Sequence, residues 1–347
     1  MDVRSPDSAT SPVTTPLPPS TTSKTTSASP VRYKGVSLGL FVSHSDAEYQ
    51  LMLYSQMLDE IAELGATDVQ LPIRWAQPDH RSADLSPRRG LTPSDAVLGQ
   101  VIDEAHRRKL RVFLMPMIHL ERRDKGIWRG RIDPAEPDAW WAAYRRFIQH
   151  YAELGARHGV HLFAVGSELV SLERFNDRWQ TLIADTRTRF KGLLTYSANW
   201  DHFEPVPFWD QLDVVGVTAY QPLMQGPADV SDLPTVDTLA SGWRPLVQRL
   251  RGWAMRQNRR YLFTEVGFPA HTYGAARPWD HSRSKGEPAP ELQARCLESL
   301  VQVWRTDDRL QGVFVWNWFG VGGTQDRGYS PRDRRGASVI KAWFDAW

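Results

Sequence analysis

Several features that would define a function are scarce in this sequence. Its 347 residues include one cysteine, Cys296, so an intrachain disulfide and a thiol-ligated metal site are excluded. No apolar run reaches transmembrane length, and we expect no integral membrane segment. Charges nearly balance at a formal net charge of +2, which gives no support for a nucleic-acid partner. The sequence has no H-x-H or H-E-x-x-H spacing, and we expect neither a metal nor a cofactor.

The N-terminal segment differs in composition from the rest of the chain. Ser, Thr and Pro make up 20 of its first 30 residues, which leaves too little apolar surface to offset the entropy of ordering. We therefore predict a disordered tail over 1–32 and one folded domain over 33–347. The tail lacks the apolar centre of a standard signal peptide, so a cytoplasmic location is the default interpretation. Export stays open, because such tracts often serve as extracellular linkers.

After the tail, short apolar runs alternate with longer amphipathic ones. Most of the short runs are continuously apolar, which is typical of parallel strands covered on both faces. Eight strands are predicted, at 35–41, 67–75, 110–119, 160–168, 192–199, 212–220, 260–268 and 310–318. Helical patterns separate them, except that 201–211 looks too short for a full helix. Eight strand–helix units in about 310 residues predict an α/β fold, a (β/α)8 TIM barrel. A doubly wound sheet is the alternative, but no Gly-rich phosphate loop follows an early strand.

The predicted strand ends carry an unusual set of polar and aromatic residues. In such a barrel the active site lies at the C-terminal ends of the strands. Those ends supply two carboxylates, Glu168 and Glu265, each after an apolar run where an unpaired charge is costly. Other candidates at the same ends are Arg74, His119, Asn199, Trp200, Tyr220 and Trp316.

Two carboxylates beside flat aromatic rings are suited to glycoside hydrolysis. One carboxyl protonates the leaving oxygen, and the other attacks the anomeric carbon or activates water. Tryptophan, of which the chain has 15, offers faces on which sugar rings stack. The spacing of the two carboxyls separates retention, at about 5–5.5 Å, from inversion, at about 6.5–9.5 Å.

Several motifs resemble those of clan A retaining glycoside hydrolases, most closely glycoside hydrolase family 113, which is known for β-mannanase activity. They are FAVGSEL, FTEVGF, ELQARCLESL, GVFVWNWF and DRGYSPRDRRGASVIKAWF. The similarity extends from about residue 35 to residue 347. It implies a carbohydrate substrate, β-1,4-mannan or a related oligosaccharide.

The resemblance also implies roles for individual residues. Glu168 would be the acid/base and Glu265 the nucleophile, with Arg74 and Tyr220 supporting the ionised Glu265. Trp316 would form the floor under the sugar at the cleavage point. The clan usually has Asn before the acid/base, where this chain has Ser167, and this departure leaves the sugar preference open.

Other interpretations remain open at this point. Either glutamate is also compatible with a structural ion pair, and His119 with a wall position rather than a sugar contact. Another β-glycan (a glucan, a xylan or a bacterial exopolysaccharide) competes with mannan, and a non-catalytic carbohydrate-binding barrel competes with an enzyme. The polar loop at 274–290, which contains Trp279, is interpreted as a solvated excursion in preference to a wall of the site. Oligomeric state is not indicated.

Overall fold

Eight parallel strands close into one barrel, as predicted. The computed structural model describes residues 32–40, 47–281 and 286–347. Consecutive strands are neighbours around the barrel, and β8 pairs with β1 to close it. The strands are β1 Tyr33–Leu38, β2 Asp68–Gln77, β3 Arg111–Leu120, β4 Leu162–Ser167, β5 Leu193–Asn199, β6 Val214–Thr218, β7 Tyr261–Val266 and β8 Leu310–Trp318.

Helices cover the outside of the barrel. They are α1 Ala47–Glu63, α2 Asp95–Arg107, α3 Pro137–Arg157, α4 Asn176–Arg189, α5 Val236–Gly242, α6 Arg244–Arg256, α7 Pro290–Trp304 and α8 Arg335–Ala346. The helix predicted between β6 and β7 is divided into α5 and α6. Pro245 lies in the first turn of α6, where its missing N–H costs nothing, whereas inside a continuous helix it would break the hydrogen-bond ladder. Between β5 and β6 the structure has a short 3-10 helix, Trp209–Gln211, in agreement with the prediction.

The barrel interior is filled by side chains rather than open. Its apolar cluster includes Phe113, Met115, Leu262 and Phe314. Gly35 is required beside them, because a Cβ there would lie 2.2 Å from the Phe314 ring.

A polar layer also lies in the barrel. Gln70 donates to the Thr264 carbonyl at 2.8 Å, and the hydroxyls of Ser197 and Thr264 are 2.5 Å apart. Thr264 immediately precedes Glu265, so this packing and hydrogen bonding fixes the backbone from which that carboxylate projects.

The folded part of the chain forms a single unit. The predicted tail lies outside the described residues except for Arg32, and its boundary stays a prediction. Residues Arg32–Trp347 form one unit by their internal contacts. Among the described residues, no helix is long and apolar enough to cross a membrane.

Candidate active site

The C-terminal ends of the strands surround a cavity of about 980 Å³. Both predicted glutamates line this cavity. So do the other predicted residues Arg74, His119, Asn199, Trp200, Tyr220 and Trp316. Ser167 is placed differently: it is 3% exposed, and its hydroxyl makes no hydrogen bond to any described residue. The topology thus brings together side chains that are up to 242 residues apart, Arg74 and Trp316 being the extremes.

Glu168 follows the last residue of β4 in a backbone conformation that non-glycine residues seldom adopt. Its φ is +54°, which costs on the order of 1 kcal/mol and is typical of functional sites. The Glu168 N–H donates to the Ser197 carbonyl at 2.8 Å, which holds this turn against β5. From here the carboxylate reaches β6: its Oε1 accepts from the Thr218 hydroxyl at 2.7 Å. Its Oε2 accepts from Arg129 Nη2, also at 2.7 Å.

Glu265 lies in β7 and is 2% exposed. Its Oε2 accepts a hydrogen bond from the Tyr220 hydroxyl at 2.8 Å, the contact predicted from the sequence. Burial, followed by the charge of Glu265, raises the pKa of Tyr220 well above its usual value, so the phenol keeps its proton and donates. Oε1 of Glu265 is buried and makes no hydrogen bond within the described part of the chain. Tyr220 thus fixes one carboxylate oxygen, and the other has no hydrogen-bond partner among the described residues.

Thr218 connects the two glutamates. It lies opposite Glu265 in the pairing of β6 with β7, and its side chain holds Glu168. The charge of Glu168 reaches Glu265: burial, and then this charge, raises the pKa of Glu265 to about 7. Arg129 and the Tyr220 hydrogen bond act in the opposite direction. Glu265 is therefore partly protonated near neutral pH when no substrate is bound.

This distribution of charge differs from the expectation that Glu265 stays ionised through Arg74. The cation that lowers the pKa of Glu265 is Arg129, which is paired to Glu168 and lies in a 3-10 helix, Arg129–Arg131. Burial opposes the charge of Arg129, but Glu168 and Glu265 together raise its pKa. Arg74 lies on β2 in the same cavity, and its support of Glu265 stays a prediction.

Sequence reasoning missed Arg129 and Thr218. Arg129 lies in an irregular stretch between β3 and α3, where no periodicity indicates which side chains point inward. The position of Thr218 could have been predicted, since it is the last residue of β6 and the C-terminal strand ends surround the active site. The predicted strand extended to Tyr220 and concealed it.

A third buried carboxyl lies behind Glu168. Glu173 is 3% exposed, and its Oε1 accepts from the Tyr196 hydroxyl at 2.6 Å. The same hydroxyl accepts from the backbone N–H of Leu169, the residue after Glu168, at 2.8 Å. Burial raises the pKa of Glu173 to about 8, with smaller contributions from Glu168 and Asp201 against the opposing Tyr196 hydrogen bond. Glu173 is therefore mainly protonated at neutral pH.

The rim of the cavity carries the remaining predicted residues. Trp200 stacks on Trp279, with ring centroids 6.2 Å apart and planes 20° apart. Asn199 donates to Asp201 at 2.6 Å. The loop at 274–290, interpreted from the sequence as a solvated excursion, contributes Trp279, Asp280 and His281 to the cavity wall, and Trp279 is also 47% exposed. Residues 282–285 lie outside the described residues.

No metal site is evident in the described ranges, where no group of three or more His, Cys, Asp or Glu side chains is placed to hold an ion. The cavity is lined by carboxyl, hydroxyl, guanidinium and aromatic groups. Those groups are the ones that glycosidic bond cleavage uses.

Comparison with known proteins agrees with this geometry. The family model described as Glycoside Hydrolase Family 113 matches residues 41–329. The structure is similar to the GH113 β-mannanase AaManA from Alicyclobacillus acidocaldarius in complex with ManMIm, with 25% identity and a TM-score of 0.80 over 91% of this chain and 98% of that one. It is also similar to a GH113 β-1,4-mannanase, with 23% identity and a TM-score of 0.80 over 91% and 100%.

More distant structures share the fold. A β-glucuronidase from Faecalibacterium prausnitzii has 17% identity and a TM-score of 0.62 over 92% of this chain and 49% of that one. At this identity the likeness shows the barrel fold alone. No curated protein matches the sequence.

Proposed function

Because the chain belongs to glycoside hydrolase family 113 and is a retaining β-glycoside hydrolase, we propose that Glu168 and Glu265 carry out the reaction and that β-1,4-mannan is the substrate. The residue assignment rests on the position of both carboxylates in one cavity. Thr218 donates a hydrogen bond to Glu168 and lies opposite Glu265, and the charge of Glu168 raises the pKa of Glu265. The mannan assignment is supported by the family and by the similar structures described as β-mannanases.

In the first step the Glu265 carboxylate attacks the anomeric carbon while Glu168 gives its proton to the leaving oxygen. The attacking atom is Oε1, since Oε2 is held by Tyr220 and Oε1 has no partner among the described residues. A carbon–oxygen ester bond forms as the glycosidic bond breaks. For this step Glu168 has to carry the proton and Glu265 has to be ionised. Arg129 and the Tyr220 hydrogen bond lower the pKa of Glu265 and so favour its ionised form.

In the second step water hydrolyses the ester between Glu265 and the sugar. Glu168, now ionised, takes a proton from the water, whose oxygen bonds to the anomeric carbon as the ester to Glu265 breaks. Thr218 and Arg129 keep the Glu168 carboxylate in place through both steps, and Arg129 stabilises its ionised form. At the end of the cycle the sugar has its original anomeric configuration, and the proton has returned to Glu168.

The test combines substrate identity with the two glutamates. The wild-type protein is incubated with β-1,4-mannan, β-glucan and xylan, and the anomer released first is identified by NMR. We expect the β-anomer from mannan. Glu265→Ala and Glu168→Gln should each reduce turnover by at least a thousandfold while far-UV circular dichroism is unchanged.

The matched control is Glu63→Gln. Glu63 is exposed at the C-terminal end of α1, on the outside of the barrel. Wild-type-like turnover in either site variant would overturn the residue assignment. An α-anomer as the first product would overturn the retaining mechanism, and cleavage of xylan or glucan without mannan would overturn the substrate.

A further inference from the structure

One wall of the cavity is cationic. Arg74 on β2 and His119 on β3 line it, together with Arg123 after β3 and Arg129 in the 3-10 helix. His281, from the loop after β7, completes it. These five residues are called the cationic wall below. Arg129 serves the two glutamates and Arg74 is predicted to support Glu265, which leaves Arg123 without a role in cleaving a neutral glycan.

The groups of the cationic wall lie close enough to repel one another. Burial first, and then the charges of Arg123 and Arg129, lower the pKa of Arg74 to about 10. Burial and Arg129 likewise lower the pKa of Arg123. Burial, followed by Arg123 and Arg74, lowers the pKa of His119 to about 4. His119 is therefore neutral at physiological pH, while the arginines keep their charge at an electrostatic cost.

Arg123 differs from its neighbours in how its charge is balanced. Arg81 pairs with Asp133, Arg88 with Glu121 at 3.1 Å, and Arg122 with Asp79. Arg123 forms no ion pair within the described ranges, and its side-chain contact is with His281, Nη1 to Nε2 at 3.5 Å. Three arginines outside the cavity thus have acidic partners, whereas Arg123 lines the cavity and contacts the His281 ring.

Arg129 indicates which part of the substrate meets this wall. It binds Glu168, the residue that we assign to protonation of the leaving oxygen. Its Nε is buried and makes no hydrogen bond to a described residue. Arg123 lines the same cavity and follows β3, in the connection that also contains Arg129. The sugar beside the cationic wall is therefore the leaving-group sugar.

We propose that the cationic wall binds a carboxylate on the leaving-group sugar, so that the natural substrate is a β-linked glycan containing uronic acid units. Arg123 presents a planar guanidinium, which suits the two oxygens of a carboxylate, and His119 and His281 are additional donors. The proposal rests on the proposed function and narrows its substrate. The enzyme cleaves the β-linked chain of neutral mannan as well, and a uronic acid unit adds binding energy at the cationic wall.

The experiment compares two substrates that differ in one group. One is a β-1,4-linked manno-oligosaccharide with a uronic acid at the leaving-group position, and the other is the same compound with its carboxyl reduced to the alcohol. We expect kcat/KM to be at least tenfold higher for the acidic compound at low salt. That ratio should shrink at 0.5 M NaCl, because salt screens exposed charges. Equal values for the two compounds would overturn the proposal.

Two variants locate the effect. Arg123→Gln should lower the acidic-to-neutral ratio at least fivefold. Arg122→Gln, one residue away and paired outside the cavity, is the matched control and should leave the ratio unchanged. A ratio that falls equally in both variants would show a general effect of surface charge and overturn the assignment to the wall.

Binding to an inactive enzyme separates this proposal from the proposed function. In a Glu265→Ala background, titration calorimetry should show at least tenfold tighter binding of the acidic compound, and Arg123→Gln should remove the difference. If Glu265→Ala binds the acidic compound more tightly but the wild type hydrolyses neither compound, the proposed function is wrong and the binding role of the cationic wall stands. If both compounds are hydrolysed and bound alike, the cationic wall has no such role.

Discussion

Replacing Glu173 by glutamine is expected to stabilise the protein at neutral pH and to change little at acidic pH. The side chain is 3% exposed, and its Oε2 makes no hydrogen bond within the described part of the chain. Its polar contacts are the Tyr196 hydrogen bond to Oε1 and His202 Nδ1 at 3.9 Å from Oε2. Burial outweighs them, so the folded protein favours the protonated form. Glutamine is neutral, has nearly the same shape, and its amide oxygen can accept the Tyr196 hydrogen bond that Glu173 accepts.

The magnitude follows from the pKa. Folding raises the pKa of Glu173 from 4.5 to about 8. A group whose pKa is higher in the folded state gives stability that is fully present below its unfolded pKa and is lost as pH rises toward the folded value. Between pH 4.5 and pH 7 the wild type should therefore lose about 3 kcal/mol relative to Glu173→Gln, at about 1.4 kcal/mol per pH unit. Above about pH 8 the difference should stop growing.

The assay is urea denaturation of both proteins at pH 4.5, 6, 7 and 8.5, followed by tryptophan fluorescence. Glu63→Gln is the control for the loss of a carboxylate, because Glu63 is exposed on the outside of the barrel. Glu173→Ala should be destabilised at every pH, since it removes packing and leaves the Tyr196 hydroxyl without its acceptor. A constant difference between wild type and Glu173→Gln would mean that Glu173 is ionised when folded, and the reasoning would be wrong.

Two further predictions concern Glu265. Tyr220→Phe removes a hydrogen bond to a carboxylate, worth roughly 1.5–3 kcal/mol, and should lower kcat/KM roughly 10- to 100-fold with the fold intact; a loss below threefold would contradict it. Arg129→Gln removes the charge that lowers the pKa of Glu265, so the acidic limb of the kcat/KM–pH profile should move to higher pH. Arg131→Gln, two residues away and exposed, is the control, and an unmoved limb in Arg129→Gln would refute this role.

Much of the fold was predictable because the hydrophobic pattern is strong. Parallel strands covered on both faces require continuous apolar runs, and these predicted all eight strands with errors of a few residues at their ends. Glu168 and Glu265 were predictable for a related reason: a charged residue after an apolar run is costly unless it has a function. The break between α5 and α6 was not predicted, although Pro245 is the residue that marks it.

The rest of the site was not predictable from pattern. Arg129 and Arg123 lie in the irregular segment between β3 and α3, where nothing in the sequence states which arginine enters the cavity and which pairs with an acid outside it. Trp279 lies in a polar loop whose composition indicates solvent exposure, yet its ring stacks on Trp200. Contacts between separate loops decide such positions, and these contacts have no local signature.

The sequence by itself determined the barrel, the order of its strands and the ends at which Glu168 and Glu265 lie, because apolar periodicity and the cost of burying charge are local properties. Only the tertiary structure decided which groups surround those carboxylates. Thr218 comes from the end of β6 and Arg129 from the connection between β3 and α3, and their effect on each carboxylate depends on distance and burial. Those quantities exist only once the cylinder has closed and the loops have packed over its mouth.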